Sequence, residues 1–126
     1  MALLLDTSAL LWWLGDDAKL GQSARSAIAD PDNEVFVSAA SAWEISVKRA
    51  SGKLDAPFDI GDALERNYFV GLPIDVAHAI AAGDLPRHHK DPFDRMLVAQ
   101  AQLENLTLVT SDPEIAKYEV ELLTAG

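Results

Sequence analysis

Short apolar runs alternate along the chain with segments whose apolar residues recur at helical spacing. Ala2 to Leu5 is a compact apolar run that ends at Asp6. Ser8 to Leu14 follows, with Ala9, Leu10, Trp13 and Leu14 on one helical face, so a strand leading into a helix is expected. Ser23 to Ala29 has helical periodicity and stops at the turn-forming Asp30-Pro31-Asp32-Asn33. Val35 to Val37 is the next strand. From Ala39 to about Ser51 the residues Ala40, Trp43, Val47 and Ala50 make one apolar stripe, and Gly52 is placed to end that helix. Gly61 to Phe69 and Val76 to Ala82 are further helices, separated by a weak strand over Val70 to Ile74 that contains Gly71 and Pro73. A helix starts near Pro92 with Leu97, Val98 and Ala101 on one face. Leu106 to Val109 is a strand, and Tyr118 to Leu123 supplies a last short one.

This alternation predicts a single α/β domain over residues 1–126, with a mostly parallel sheet of four to five short strands covered by helices on both faces. Crossovers in such sheets are right-handed. Functional groups in open sheets of this kind collect at the carboxyl ends of the strands.

Composition narrows the function. The 126 residues carry 20 Asp and Glu against 10 Lys and Arg, a formal net charge of −10, and 49% are hydrophobic. That excludes a disordered chain and a polycation that coats nucleic acid without regard to sequence. The absence of cysteine excludes disulfide frameworks, thiolate zinc sites and cysteine nucleophiles, and fits a reducing, cytoplasmic setting. The longest uncharged stretches, Thr7 to Gly15 and Val35 to Trp43, are nine residues each, too short to span a bilayer. The first basic residue is Lys19, so no secretory leader is expected.

The acids fall in a pattern. Asp6 ends the first strand, Glu44 lies in the first turns of the helix after the second, Asp94 sits in the first turn of its helix, and Asp112 just follows the strand Leu106 to Val109. Each has an ordinary explanation. Asp6 can cap the next helix, and both Asp112-Pro113 and Asp91-Pro92 have N-cap grammar. Ser41-Ala42-Trp43-Glu44 fits a capping box, and Asp94 and Glu44 favour a helix N-terminus. Together, however, four carboxylates from distant parts of the chain converge on one sheet edge. Asp94 is in register with the buried stripe of its helix and wants a counter-charge. Crowded carboxylates repel one another unless a cation joins them. An all-oxygen set suits magnesium or manganese better than zinc, and such an ion assists phosphodiester hydrolysis.

The segments Leu4-Leu5-Asp6-Thr7-Ser8, Ser41-Ala42-Trp43-Glu44-Ile45, His89 to Ala101 and Leu108-Val109-Thr110-Ser111-Asp112 resemble signature segments of the PIN-domain ribonucleases, in particular the VapC-type toxins of prokaryotic toxin–antitoxin pairs. The likeness covers essentially the whole chain, and His89 to Ala101 is its most specific part. The resemblance implies a three-layer α/β/α PIN fold and a magnesium- or manganese-dependent endoribonuclease. Its metal would be held by Asp6, Glu44, Asp94 and Asp112. Thr7, Thr110 and Ser111 would position water, with Asp91 near the metal or acting only as a cap. It further implies a cognate antitoxin whose basic residue enters the acidic pocket, and a homodimer.

RNA contact needs local positive charge. Arg87, His88, His89, Lys90 and Arg95 surround the acidic segment, and Lys48, Arg49 and Lys53 form a second group. Of these, Arg87, His89, Lys90, Arg95 and Lys48 are the expected RNA contacts, set against an ordinary solvated surface or an Arg95 paired with a neighbouring carboxylate. His78 has no metal-like spacing and is expected to be structural. Adjacent Trp12 and Trp13 cannot both face the core of one helix, so one is expected to meet a partner. Two other functions compete. A phosphoacceptor receiver domain needs an acid pair beside the first strand and a lysine after the last core strand. A catalytically inert PIN-like binding module would have lost some of the four acids.

Overall fold

The computed structural model describes residues 1–126. In chain order the elements are β1 (Ala2–Leu5), α1 (Thr7–Leu14), α2 (Gln22–Ala29), β2 (Glu34–Ser38), α3 (Ala39–Ala50), α4 (Ile60–Arg66), β3 (Val70–Leu72), α5 (Val76–Asp84), α6 (Pro92–Glu104), β4 (Thr107–Thr110) and β5 (Leu122–Thr124), with a 3-10 turn over Ile115–Lys117 before β5. The five strands form one sheet in the order β3-β2-β1-β4-β5, and every pairing is parallel. The expected mostly parallel sheet is therefore wholly parallel.

The apolar run of β1 explains its place at the centre. Leu3, Leu4 and Leu5 are fully buried, as a strand covered on both faces requires. Successive side chains point to opposite faces. Leu3 and Leu5 join a core with Leu10, Ala24, Ile28, Val35 and Ile45, while Leu4 joins a second core with Leu97, Val98, Ala101, Leu108 and Ile115. The result is a three-layer α/β/α arrangement. α1 and α2 lie against one face of the sheet, α6 against the other, and α3 contributes Ile45 to the first core and Ala40 to the second.

From β1 the chain passes outward through β2 to β3, then returns to place β4 on the other side of β1. The order reverses between β1 and β4, where Leu5 pairs with Val109, so the crevice past their carboxyl ends is the topological switch point of the sheet.

Three sequence expectations need correction here. In α3 the stripe Ala40, Trp43, Val47, Ala50 does not face the core, since Trp43 and Val47 are exposed and the buried face runs through Ala40, Ser41, Glu44 and Ile45. The buried face includes polar groups, which apolar periodicity alone misses. The capping box at Ser41 is also absent. α3 begins earlier, with Ser38 accepting the Ala40 N–H at 3.0 Å, and Glu44 sits well inside the helix. The last strand comes later than Tyr118. That residue is instead buried after the 3-10 turn, with its hydroxyl donating to Pro86 O at 2.7 Å. No helix is long and apolar enough to cross a membrane.

Candidate active site

Past the carboxyl ends of β1 and β4 lies a cavity of about 330 Å³ lined by polar side chains, with Trp12 the single apolar one. Asp6, Glu44, Asp91, Asp94 and Asp112 all line it, together with Thr7, Ser8, Ser111 and Lys48. The four acids expected to converge do so, and Asp91 joins them. Trp12 turns to this cavity, whereas Trp13 donates its indole N–H to Asn67 at 3.0 Å and packs on Phe69.

Each acid is held by local structure. Asp6 is the N-cap of α1 and accepts the Ala9 N–H through Oδ1 at 2.8 Å, so capping one helix leaves its second oxygen available to the cavity. Thr110, buried at the end of β4, accepts the Asp112 N–H at 3.1 Å and its hydroxyl bonds Asp6. One side chain thus ties the ends of two strands to two acids. Glu44 projects from the buried face of α3, where Thr7 donates to its Oε1 at 2.6 Å and Lys48, one turn later, bonds its Oε2. Asp112 accepts the Glu114 N–H through Oδ1 at 2.9 Å. Asp91 is the N-cap of α6, with Pro92 at the first helical position, and accepts the N–H groups of Phe93 and Asp94. For Asp6 and Asp91, cap grammar and a place in the cavity are the same fact, whereas Asp112 is not the expected N-cap, because the 3-10 turn that follows starts only at Ile115 with Glu114 before it.

The crowding shows in the proton affinities. Asp6 is raised above the ordinary carboxylate value by its burial, with the charges of Asp112 and Glu44 adding to it and its bonds to Thr110 and Ala9 opposing. Asp94 is pushed up to about 7, first by burial and then by the neighbouring Asp91, while His89 partly offsets this. Lys48 is raised by its bond to Glu44, so it stays charged. An all-oxygen set short of positive charge fits a hard divalent cation.

His89 was expected at the RNA surface, but the structure places it among the acids. Its Nε2 lies 2.8 Å from Asp112 Oδ2 and 3.1 Å from Asp94 Oδ2, the three ligand-type atoms lying within 4.8 Å of one another. Burial alone would lower its pKa, but the bond to Asp112 and the charges of Asp94, Asp112 and Asp91 outweigh this and raise it. The signal was present in the sequence: Asp94 lacked a counter-charge, and His89 lies five residues before it.

The other expected RNA contacts divide. Arg87 and Lys90 are exposed. Lys48 is engaged with Glu44. Arg95 does not line the cavity, and in place of the expected carboxylate it meets backbone carbonyls. Its guanidinium donates to the carbonyls of Ala82, Leu85, Pro86 and His89 at 2.8 to 3.2 Å, fastening the segment between α5 and α6. His78 is structural, as expected. It forms a capping box with Asp75 at the start of α5 and its Nε2 lies 3.0 Å from Glu104.

The fold is shared with solved structures. A chain of VapBC2 from Rickettsia felis, bound to a DNA fragment from its promoter, is 17% identical with a TM-score of 0.73, and the match covers 98% of each chain. VapBC-1 from nontypeable Haemophilus influenzae gives 16% identity and a TM-score of 0.67 over 98% of both chains. DNA-bound VapBC from Salmonella typhimurium gives 17% and 0.66 over 100% of this chain and 99% of that one. No curated protein matches by sequence. The family model described as PIN domain matches residues 3–121, a span that holds all five cavity carboxylates, and the chain belongs to the PIN-domain family.

Proposed function

We propose that this PIN domain is the VapC-type toxin of a toxin–antitoxin pair, a magnesium- or manganese-dependent endoribonuclease. The observation that carries the reading is the convergence of Asp6, Glu44, Asp94 and Asp112 in one polar cavity at the switch point of the sheet. The similar solved chains come from VapBC assemblies and from a toxin–antitoxin complex of Klebsiella pneumoniae, which supports both the nuclease reading and an antitoxin partner.

Asp6 and Asp94 would be the principal ligands, with Glu44 and Asp112 contributing directly or through water. A bound divalent cation supplies charge neutralisation at the phosphodiester and a water of lowered pKa. The protein's own groups prepare the place. Thr110 and Ala9 aim Asp6, Thr7 aims Glu44, and Ser111, exposed at the rim, is available to orient water. Arg87 and Lys90 draw the RNA backbone toward the acidic cavity, a local exception to the net charge of −10. An antitoxin side chain carrying a cation would neutralise the same acids and hold the nuclease inactive, and a homodimer is the expected assembly in the cytoplasm.

The receiver alternative is not favoured. Only Asp6 stands at the end of β1, and the lysine nearest the acids, Lys48, comes from α3 and not from the segment after β4. An inert module is opposed by the intact acids.

The test incubates antitoxin-free protein with RNA and Mg²⁺ or Mn²⁺, beside Asp6→Asn and Asp94→Asn. Cleavage is expected from the wild type alone, and only with metal. Cleavage that survives either substitution or excess chelator overturns the mechanism.

A further inference from the structure

His89, beside the cavity, lies against two of the proposed ligands, Asp94 and Asp112. Its ring is fixed from every side. Nδ1 accepts the Asp91 N–H at 3.1 Å, so in the neutral ring the proton sits on Nε2 and faces Asp94 and Asp112. Its backbone N–H donates to the Tyr118 hydroxyl at 2.9 Å and its carbonyl accepts from Arg95 at 3.2 Å. Tyr118 and Arg95 are in turn bound to Pro86 O. The imidazole therefore lacks the freedom to swing out as a gate. With Nδ1 committed to a peptide N–H, Nε2 has no lone pair to offer a metal, which makes the ring a donor and not a ligand.

We propose that His89 is a positioning residue for the metal centre: by donating Nε2–H to Asp112 Oδ2 while lying 3.1 Å from Asp94 Oδ2, the ring holds together two carboxylates that come from different elements and would share a cation. Asp112 is then held at both oxygens, by the Glu114 N–H and by His89. Asp94 Oδ2 lies 3.1 Å from the same nitrogen. Partners of this kind fix ligand orientation, and their loss typically weakens metal binding ten- to hundredfold.

The inference rests on the proposed metal site, and calorimetric titration of the RNA-free protein with Mn²⁺ separates the two. Saturable binding is expected for the wild type, a Kd raised about tenfold or more in His89→Ala, and substantial recovery in His89→Gln, whose amide N–H reaches the same oxygens. His88→Ala, which alters the same loop but leaves the acids untouched, should bind as the wild type does. Absence of saturable wild-type binding overturns both readings. Wild-type binding with unchanged affinity in His89→Ala overturns only this one, as does tighter binding, which would make the ring a competitor for the ion. Equal weakening by His88→Ala, or no recovery in His89→Gln, also overturns it by assigning the effect to loop integrity.

Discussion

Replacing Asp94 with Asn asks how much the crowded acids oppose folding when no metal is bound. The Asp94 carboxyl moves from 3.8 to about 7 in the folded protein, mainly through burial. An acid raised on folding binds its proton more tightly in the native state than in the unfolded chain. Its ionisation therefore costs no stability below the unfolded value, takes a growing toll between 3.8 and about 7, and reaches its full effect above that window. At about 1.4 kcal/mol per pH unit the ceiling is about 4 kcal/mol. The side chain keeps 19% exposure, and solvent screening brings the expected value to about 2 kcal/mol. Asn retains an acceptor for His89 but surrenders a favourable charge at the N-terminus of α6, worth about 0.5 kcal/mol. Metal-free Asp94→Asn should thus be more stable than the wild type by about 1 to 2 kcal/mol at pH 8, a rise in Tm of roughly 5 °C, and the advantage should vanish by pH 4. Thermal unfolding in chelator at both pH values measures this, and added Mn²⁺ should reverse the order. If Asn lowers Tm equally at pH 8 and pH 4, Asp94 is only a helix-terminus acid and the crowding argument fails.

Two further outcomes follow from the loop and the surface. Arg95→Ala should cost about 3 kcal/mol in urea unfolding, since several carbonyls lose a charged donor at once, and Arg95→Lys should recover only part because the planar fork is gone. A loss below about 0.5 kcal/mol would show that the clamp does not matter. Arg87→Ala with Lys90→Ala, measured by RNA binding of the Asp6→Asn protein across a salt series, should flatten the plot of log affinity against log salt by about 0.7 per phosphate contact removed. An unchanged slope would remove both residues from the RNA path.

The layers of the fold and the acids of the site were legible because they follow from local rules. Apolar runs mark strands, and an acid just past a strand in an α/β sheet falls at the carboxyl edge. Trp43 and Val47 misled because periodicity identifies a stripe but not the face it covers. α3 buries Ser41 and Glu44 instead, since Thr7 and Lys48 satisfy them. The sequence puts His89 near Asp94, but its fixed position and the role of Arg95 were hidden for another reason. Both depend on where the segment between α5 and α6 lies, and that is fixed by Tyr118, which is distant in sequence and reaches Pro86 and His89 only in the folded chain.

The strand order also governs when the site comes into being. β1 is made first but sits in the middle of the sheet, and its second neighbour, β4, begins at Thr107. A chain emerging during synthesis can pair β1 with β2 and bring Asp6 near Glu44, yet Asp112 arrives only after β4 has docked along the open edge of β1. Such long-range parallel pairing is intrinsically slow. The carboxylate cluster is thus completed only once β4 has docked, and a partly made or partly folded chain carries its acids apart.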